Sequence, residues 1–285
     1  MWLELVVLAV VVSTVIGVAA VVFGRSRWRR GTERLRADLA SYRLPVARSR
    51  FDQRELQGLP APVQRFFRAT LSDGQPIIAA VRMQQHGGFN LGRSKAVWCP
   101  FTSTQVVVTR RPGFDWDARI TTPFGMRVLV HDALIAGEGI LHASLLGLVT
   151  LMKAKSTPQI AEGELLRFLA EATWYPTALL PSQGVRWAPL DDHSSRATFS
   201  DGTTIARLDF EFDCDGLVKT VRTSSRWRTV DGKAIATAWQ GRFWAYETRN
   251  GMQVPLEGEV AWELPEGLWP YWRGRVTHLE YEFAR

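Results

Sequence analysis

The chain has 285 residues, a formal net charge of +7, 46% apolar residues and twelve tryptophans. Residues 1–60 carry ten basic and five acidic side chains, which leaves 25 basic and 23 acidic for the other 225 residues. The globular part is therefore close to neutral, which argues against a nucleic-acid-binding domain and its basic face, and is long enough to bury one substantial core.

From Leu5 to Gly24 no side chain is charged, and only Ser13 and Thr14 interrupt a run of Leu, Val, Ile, Ala and Phe. At about 1.5 Å per residue this run is about 30 Å long, the thickness of the bilayer hydrocarbon. Arg25, Arg27, Arg29 and Arg30 follow at once, with Trp28 among them. A cleaved signal peptide would carry positive charge before a shorter apolar stretch, and here only Glu4 precedes a long one. The reading is an uncleaved transmembrane anchor over residues 1–24. The excess of Arg on its C-terminal flank places that flank on the cytoplasmic side, giving a single-pass protein of the bacterial inner membrane. Anionic lipids of the inner leaflet suit this collar.

Residues 25–58 read as a basic juxtamembrane segment. Leu35, Leu39 and Tyr42 predict a short amphipathic helix, and an Arg-rich linker follows. Pro60 and Pro62 then open a helix bearing Val63, Phe66, Phe67 and Leu71 on one face, and the globular domain is placed at 59–285. From Pro76 the pattern becomes short strands punctuated by turn residues, including Ala96–Phe101, Gln105–Thr109, Asp115–Thr121 and Met126–Val130. Glu138–Met152 reads as helical, with Leu141, Leu145, Leu148 and Met152 in phase. A clearer helix runs from about Gln159 to Thr173 behind Thr157-Pro158, with Glu164, Arg167 and Glu171 sharing a face. Strands then resume to Phe283. Asp213–Gly216 and Asn250-Gly251 are hairpin turns. The fold class is α+β: a mainly antiparallel, strongly curved sheet, an open or half barrel with central helices, plus one N-terminal membrane helix. Lipoprotein carriers and lipocalins offer a fold-level analogy for such a sheet.

Standard catalytic and nucleotide-binding motifs are absent, and no cofactor is expected. Glu211, Asp213, Asp215 and Gly216 begin like a calcium loop, but Arg222 stands where a bidentate Glu is needed, so the segment reads as a turn. His131, Asp132, Glu138 and His142 form a local cluster without a known metal spacing, and no metal site is assigned. Cys99 and Cys214 lie far apart; they would be free thiols in the cytoplasm and a disulfide is open to them outside it. Ten tryptophans lie beyond the collar. Core filling, cavity lining and membrane contact compete for them. The ligand-binding candidates are Trp98, Trp116, Trp174, Trp187, Trp239 and Trp262. Trp269-Pro270-Tyr271-Trp272 is the membrane-contact candidate.

The densest signature is Arg167-Phe168-Leu169-Ala170-Glu171, then Trp174-Tyr175-Pro176-Thr177-Ala178-Leu179-Leu180-Pro181 and Trp187. With Trp98, Gly113-Phe114-x-Trp116, Asp132, Trp239-x-Gly241 and Trp262, it resembles a bacterial family designated domain of unknown function 6544, over residues 59–285. Phe168 departs from the Tyr common there. The resemblance implies no activity. Three functions follow as alternatives. The first is a non-catalytic module binding a lipid or other apolar molecule beside the bilayer. The second is a membrane-associated enzyme whose Glu171, Arg167 and Asp132 converge within about 4–6 Å and perturb one another's acidity. The third is an interaction module for another membrane protein, which would show a large exposed apolar patch.

Overall fold

A computed structural model describes residues 1–92, 94–154, 156–230 and 232–284. The apolar run and the basic collar form one unbroken helix, α1 (Trp2–Ser41). A second helix, α2 (Ala61–Thr70), has Pro62 in its first turn and buries Val63, Phe66 and Phe67. The first group of strands is β1 (Ile78–Asn90), β2 (Trp98–Val108), β3 (Gly113–Thr121), β4 (Arg127–Ile135), β5 (Glu138–Leu145) and β6 (Val149–Ala154). Then come α3 (Pro158–Glu171), single-turn segments to Gln183, β7 (Arg186–Pro189), β8 (Ser194–Asp201) and β9 (Thr204–Phe212). The last strands are β10 (Val218–Val230), β11 (Lys233–Arg249), β12 (Met252–Leu264) and β13 (Gly267–Phe283).

Among the described residues all thirteen strands belong to one antiparallel sheet, ordered β6-β5-β4-β3-β2-β1-β13-β12-β11-β10-β9-β8-β7. The chain meanders outward to one edge, crosses through α3, and returns from the other edge until β13 pairs with β1. The sheet stays open, because β6 and β7 are both edges. Its curvature is visible in α3, which packs against β3, β4 and β5 on one side and β9 and β10 on the other. One helix touches strands that far apart in sheet order only if the sheet wraps around it.

Two sequence expectations are corrected. Residues 138–152 are not helical: they are β5 and β6, joined by a turn in which Leu146 and Gly147 both take positive φ (54° and 74°). Apolar side chains occur on both faces of this hairpin, and a strand populated on both faces mimics helical phasing. Residues 96–109 are not two strands either. Thr102, Ser103 and Thr104 continue β2 without a break in its pairing with β1. Pro100 is tolerated because pairing with β3 begins only at Phe101, so its missing N–H faces no acceptor. Turn signals did locate the hairpins: Asn250 and Gly251 take φ of 51° and 79°, as a two-residue turn between twisted strands requires.

Strand alternation sends neighbouring residues to opposite faces. On β3, Phe114, Trp116, Ala118 and Ile120 enter the main core beneath α3. Asp115 and Asp117 face α1. Asp117 Oδ1 accepts from Trp28 Nε1 at 2.9 Å, and Asp115 accepts from Arg36 Nε and pairs with His131 Nδ1, each at 2.8 Å. The His131 ring also stacks on Trp28, with centroids 4.4 Å apart, and its Nε2 lies 3.1 Å from Thr32 Oγ1. Leu39 seals the far end against Ala80, Val108, Ala133 and Ile135. The half of α1 beyond the apolar run is thus docked on the outer face of the sheet. The following residues are also integrated, since Phe51 and Leu56 lie in the main core.

The Asp115 carboxylate is fully buried; it pairs with Arg36 across this interface and with His131 on the neighbouring strand. Asp115→Ala is expected to cost about 2–4 kcal/mol, the range for a broken buried charge contact. It should also expose the basic half of α1 to trypsin. Unchanged melting and cleavage would show that α1 is held by its apolar contacts alone.

Candidate ligand-binding site

Thr157 caps α3 by accepting from Ile160 N, and Pro158 occupies its first turn. Leu165, Leu166 and Leu169 then point into the core. Arg167 and Glu171 turn toward β2–β4, where they meet a belt of inward polar groups. The register sets that belt: Gln85 pairs with Ser103, Gln105 with Trp116, and Trp116 with Asp132.

Arg167 is the centre of this arrangement. Its Nη1 donates to Asp132 Oδ2 at 2.6 Å and its Nε to Glu171 Oε1 at 2.7 Å. The guanidinium lies over Phe114 and Trp116, at 4.8 and 5.2 Å from the ring centroids. Gln105 Nε2 fills the other oxygen of Glu171 at 2.6 Å. Gln85 Oε1 accepts from both Ser103 Oγ and Trp116 Nε1. The three residues singled out in the sequence therefore converge. Burial opposes the charge on Arg167, but Glu171 and Asp132 outweigh it and hold the guanidinium's pKa above its ordinary value.

Glu164, one turn earlier, is buried, and its Oε2 has no hydrogen-bond partner. Burial first, and the charge of Asp132 second, push its carboxyl up to about 8, against the pull of Arg226 and Arg167.

A cavity of about 120 Å³ lies between the end of α3 and strands β10–β13. Arg167, Ala170, Glu171 and Trp174 line it on the helix side, with Trp116 and Asp132 below. Trp239, Phe243, Tyr271 and Trp272 form the opposite wall. Gly274 is needed there, because a Cβ at that position would strike the Trp272 ring.

Of the six tryptophans proposed as ligand-binding, Trp116, Trp174 and Trp239 line this cavity. Trp98 does not: β2 sends it to the outer side, where Arg273 stacks on it at 4.8 Å. Trp187 does not either, being packed among Phe67, Phe210 and Phe212, with its N–H on Leu179 O. Trp262 stands behind the wall, stacked on Tyr271 with centroids 5.5 Å apart. Tyr271 and Trp272, expected at a membrane surface, are cavity walls instead. The His131, Asp132, Glu138 and His142 cluster is split. His131 faces α1 and Asp132 faces α3, as adjacent strand residues must, and no group of His, Cys, Asp and Glu among the described residues is arranged to hold a metal.

Sequence reasoning missed Arg226, Phe243, Tyr271 and Trp272. A β-bulge carries Arg226 inward. Between Thr223 and Arg226, β10 advances three residues while β11 advances two, from Trp239 to Thr237. A second bulge carries Tyr271. From Val260 to Ala261 the partner on β13 moves from Trp272 to Pro270, so Tyr271 and Trp272 both turn into the cavity. Bulges are a recognised way to re-aim side chains, and nothing in a single sequence marks these two.

A model described as a family of unknown function (DUF6920) matches residues 57–281, and the chain belongs to that family. This agrees with the uncharacterised family that the motifs suggested, although the number 6544 is not the one the match bears. No curated protein matches the chain. Among the solved structures similar to it are two that cover most of the chain. One is a LolA superfamily protein from Nitrosomonas europaea, at 9% identity and a TM-score of 0.36, covering 78% of this chain and 92% of that one. The other is a beta-barrel-like protein of domain of unknown function DUF1849 from Brucella abortus, at 10% identity and a TM-score of 0.22, covering 72% and 99%. At these scores the likenesses carry no functional argument.

The raised pKa of Glu164 makes a stability prediction. Between pH 4.5 and about 8 the native state holds a proton that the unfolded state has lost. Stability should therefore fall as pH rises through that window, by a few kcal/mol at most. Glu164→Gln should flatten this component, so that the variant melts above the wild type at pH 8.5 and close to it at pH 4.5. Parallel melting curves for the two proteins would show that Glu164 ionises normally.

Proposed function

We propose that the protein is a membrane-anchored, non-catalytic module that binds a small apolar or amphipathic molecule beside the bilayer. The cavity under α3, walled by aromatic rings within an otherwise close-packed core, carries this reading. Its size sets the class of occupant. A 120 Å³ space is below the usual ligand-site range of about 300–1,000 Å³ and near that of a cavity able to hold benzene. A single ring or the end of a chain fits, whereas a whole lipid would need the wall to open. The geometry the enzyme alternative required is present, but both oxygens of Glu171 are engaged and Arg167 is committed to two carboxylates. A closed network of this kind favours a positioning role over proton transfer.

The anchor supports a location at the membrane. α1 is apolar enough to span one, and its apolar end touches the domain directly. A Cβ on Gly24 would strike the Leu146 carbonyl and Leu148, and a Cβ on Gly147 would strike the Gly24 backbone. The β5–β6 turn thus sits where the helix leaves the hydrocarbon. The β3–β4 and β1–β2 loops lie at the same end of the meander, and together these segments expose Phe124, Met126, Val149, Leu151, Leu91 and Val97. Phe124 is 87% exposed. Beside them, Arg25, Arg29, Arg119 and Arg127 line a groove of about 470 Å³ between α1 and the sheet. Apolar loop tips backed by arginines suit an interface with anionic headgroups. The arginine excess beyond Gly24 favours the cytoplasmic face, in which Cys99 and Cys214, both free, would stay reduced.

Native mass spectrometry of the full chain from nanodiscs, followed by organic extraction, should recover a small retained molecule. Ala170→Leu, which fills the cavity, should abolish its retention. A clean apo mass, together with no binding of a neutral ring probe such as benzamide, would sink the proposal. For the membrane placement, a nitroxide on Phe124→Cys in a Cys99→Ser, Cys214→Ser background in nanodiscs should be more accessible to oxygen than to a water-soluble nickel chelate. The reverse order would put this rim in water.

A further inference from the structure

Arg226 is only 9% exposed, and among the described residues no carboxylate lies within 4.0 Å of its guanidinium. It is held instead by the faces of Trp239 and Trp262, at 4.9 and 5.9 Å, and by one hydrogen bond from Nη1 to Tyr271 Oη at 3.2 Å. A buried cation without a counterion is costly, and ring faces offset only part of that cost. Arg167, a short distance away on α3, shows the alternative, with two carboxylates in contact.

The cavity beside Arg226 also offers two free donors. Tyr271 Oη accepts from Arg226 and also from Trp239 Nε1 at 2.9 Å, so its own O–H remains to be given. Trp174 Nε1–H is buried and has no partner. Arg226, Tyr271 and Trp174 all line the same cavity. The carboxylates nearby would not repel an incoming anion strongly. Asp132 and Glu171 are engaged by Arg167, and Glu259 by Arg273. Glu164, raised to about 8, carries its proton at neutral pH. Two separate bulges deliver Arg226 and Tyr271 to this spot, so the backbone departs from regular pairing twice to build it.

We infer that the cavity binds the carboxylate of a small amphipathic acid, its anionic head on Arg226, Tyr271 O–H and Trp174 N–H and its apolar body against Phe243 and Trp272. This rests on the binding role proposed above and narrows it to a monoanion. The volume limits the body to about one ring or a chain of about six carbons.

Benzoate and its neutral isostere benzamide separate the charge from the fit. Titrated calorimetrically into the full chain in nanodiscs, benzoate should bind at least tenfold more tightly, about 1.4 kcal/mol. Arg226→Met should bring benzoate down to the benzamide value and leave benzamide unchanged. Tyr271→Phe, which keeps the ring, should weaken benzoate several-fold. Without ligand, Arg226→Met should melt at or above the wild-type temperature, because an uncompensated buried charge has been replaced by an apolar chain of similar length. A lower melting temperature would mean that Arg226 serves packing. Equal binding of benzoate and benzamide, unmoved by Arg226→Met, would overturn the anion site while leaving the cavity as a binding site. Binding of neither would remove both.

Discussion

The ion pairs of Arg167 fix the geometry on which the rest of the interior depends. α3 is the one long helix inside the curved sheet, and it must meet both halves of it. Apolar contacts against β9 and β10 leave a helix free to slide or rotate by a residue. A planar guanidinium that donates to Asp132 on β4 and to Glu171 on its own helix is less tolerant, because both bonds need a fixed direction. Gln105, Gln85, Ser103 and Trp116 extend that direction across three further strands. Buried charge pairs contribute little net stability but penalise any arrangement that leaves a member unpaired. The cavity lies between this fixed end of α3 and strands β10–β13.

Alternation along β3 and β4 gives the sheet two different jobs. Inward residues build the aromatic and polar interior, while Asp115, Asp117 and His131, one position away from Phe114, Trp116 and Asp132, clamp α1 on the outside. The same strands therefore couple α1 to the cavity wall without sharing any side chain. Because α1 is continuous from the apolar run to Ser41, the domain is carried on a rigid rod. Docking of Gly24 against the β5–β6 turn fixes how far the apolar run projects from the domain.

The contrast between Arg167 and Arg226 is informative. Both guanidinium groups lie against tryptophan faces in one cavity, yet one is paired with two carboxylates and the other has ring faces and a phenol, with no carboxylate within 4.0 Å among the described residues. Identical residue types thus have different surroundings on the helix side and on the sheet side, decided by what the opposing strand presents.

Much of this architecture is legible in the residues. The long apolar helix follows from twenty uncharged positions, the hairpins from Asn250-Gly251 and Asp213–Gly216, α3 from Thr157-Pro158 and its leucines, and the meeting of Arg167 with Glu171 from helical spacing. Those signals are local, and local chemistry enforces them. What lay beyond them is set by pairing between distant strands. Glu138–Met152 became a hairpin because β4 offered an edge, which overrode helix-like phasing. Trp98 and Trp187 left the site because register assigned them to other faces. Arg226 and Tyr271 entered it through bulges that exist only as a mismatch between two strands. A side chain's identity sets the interactions it can make, but in a wide curved sheet the face it occupies depends on register, and register belongs to the assembled fold.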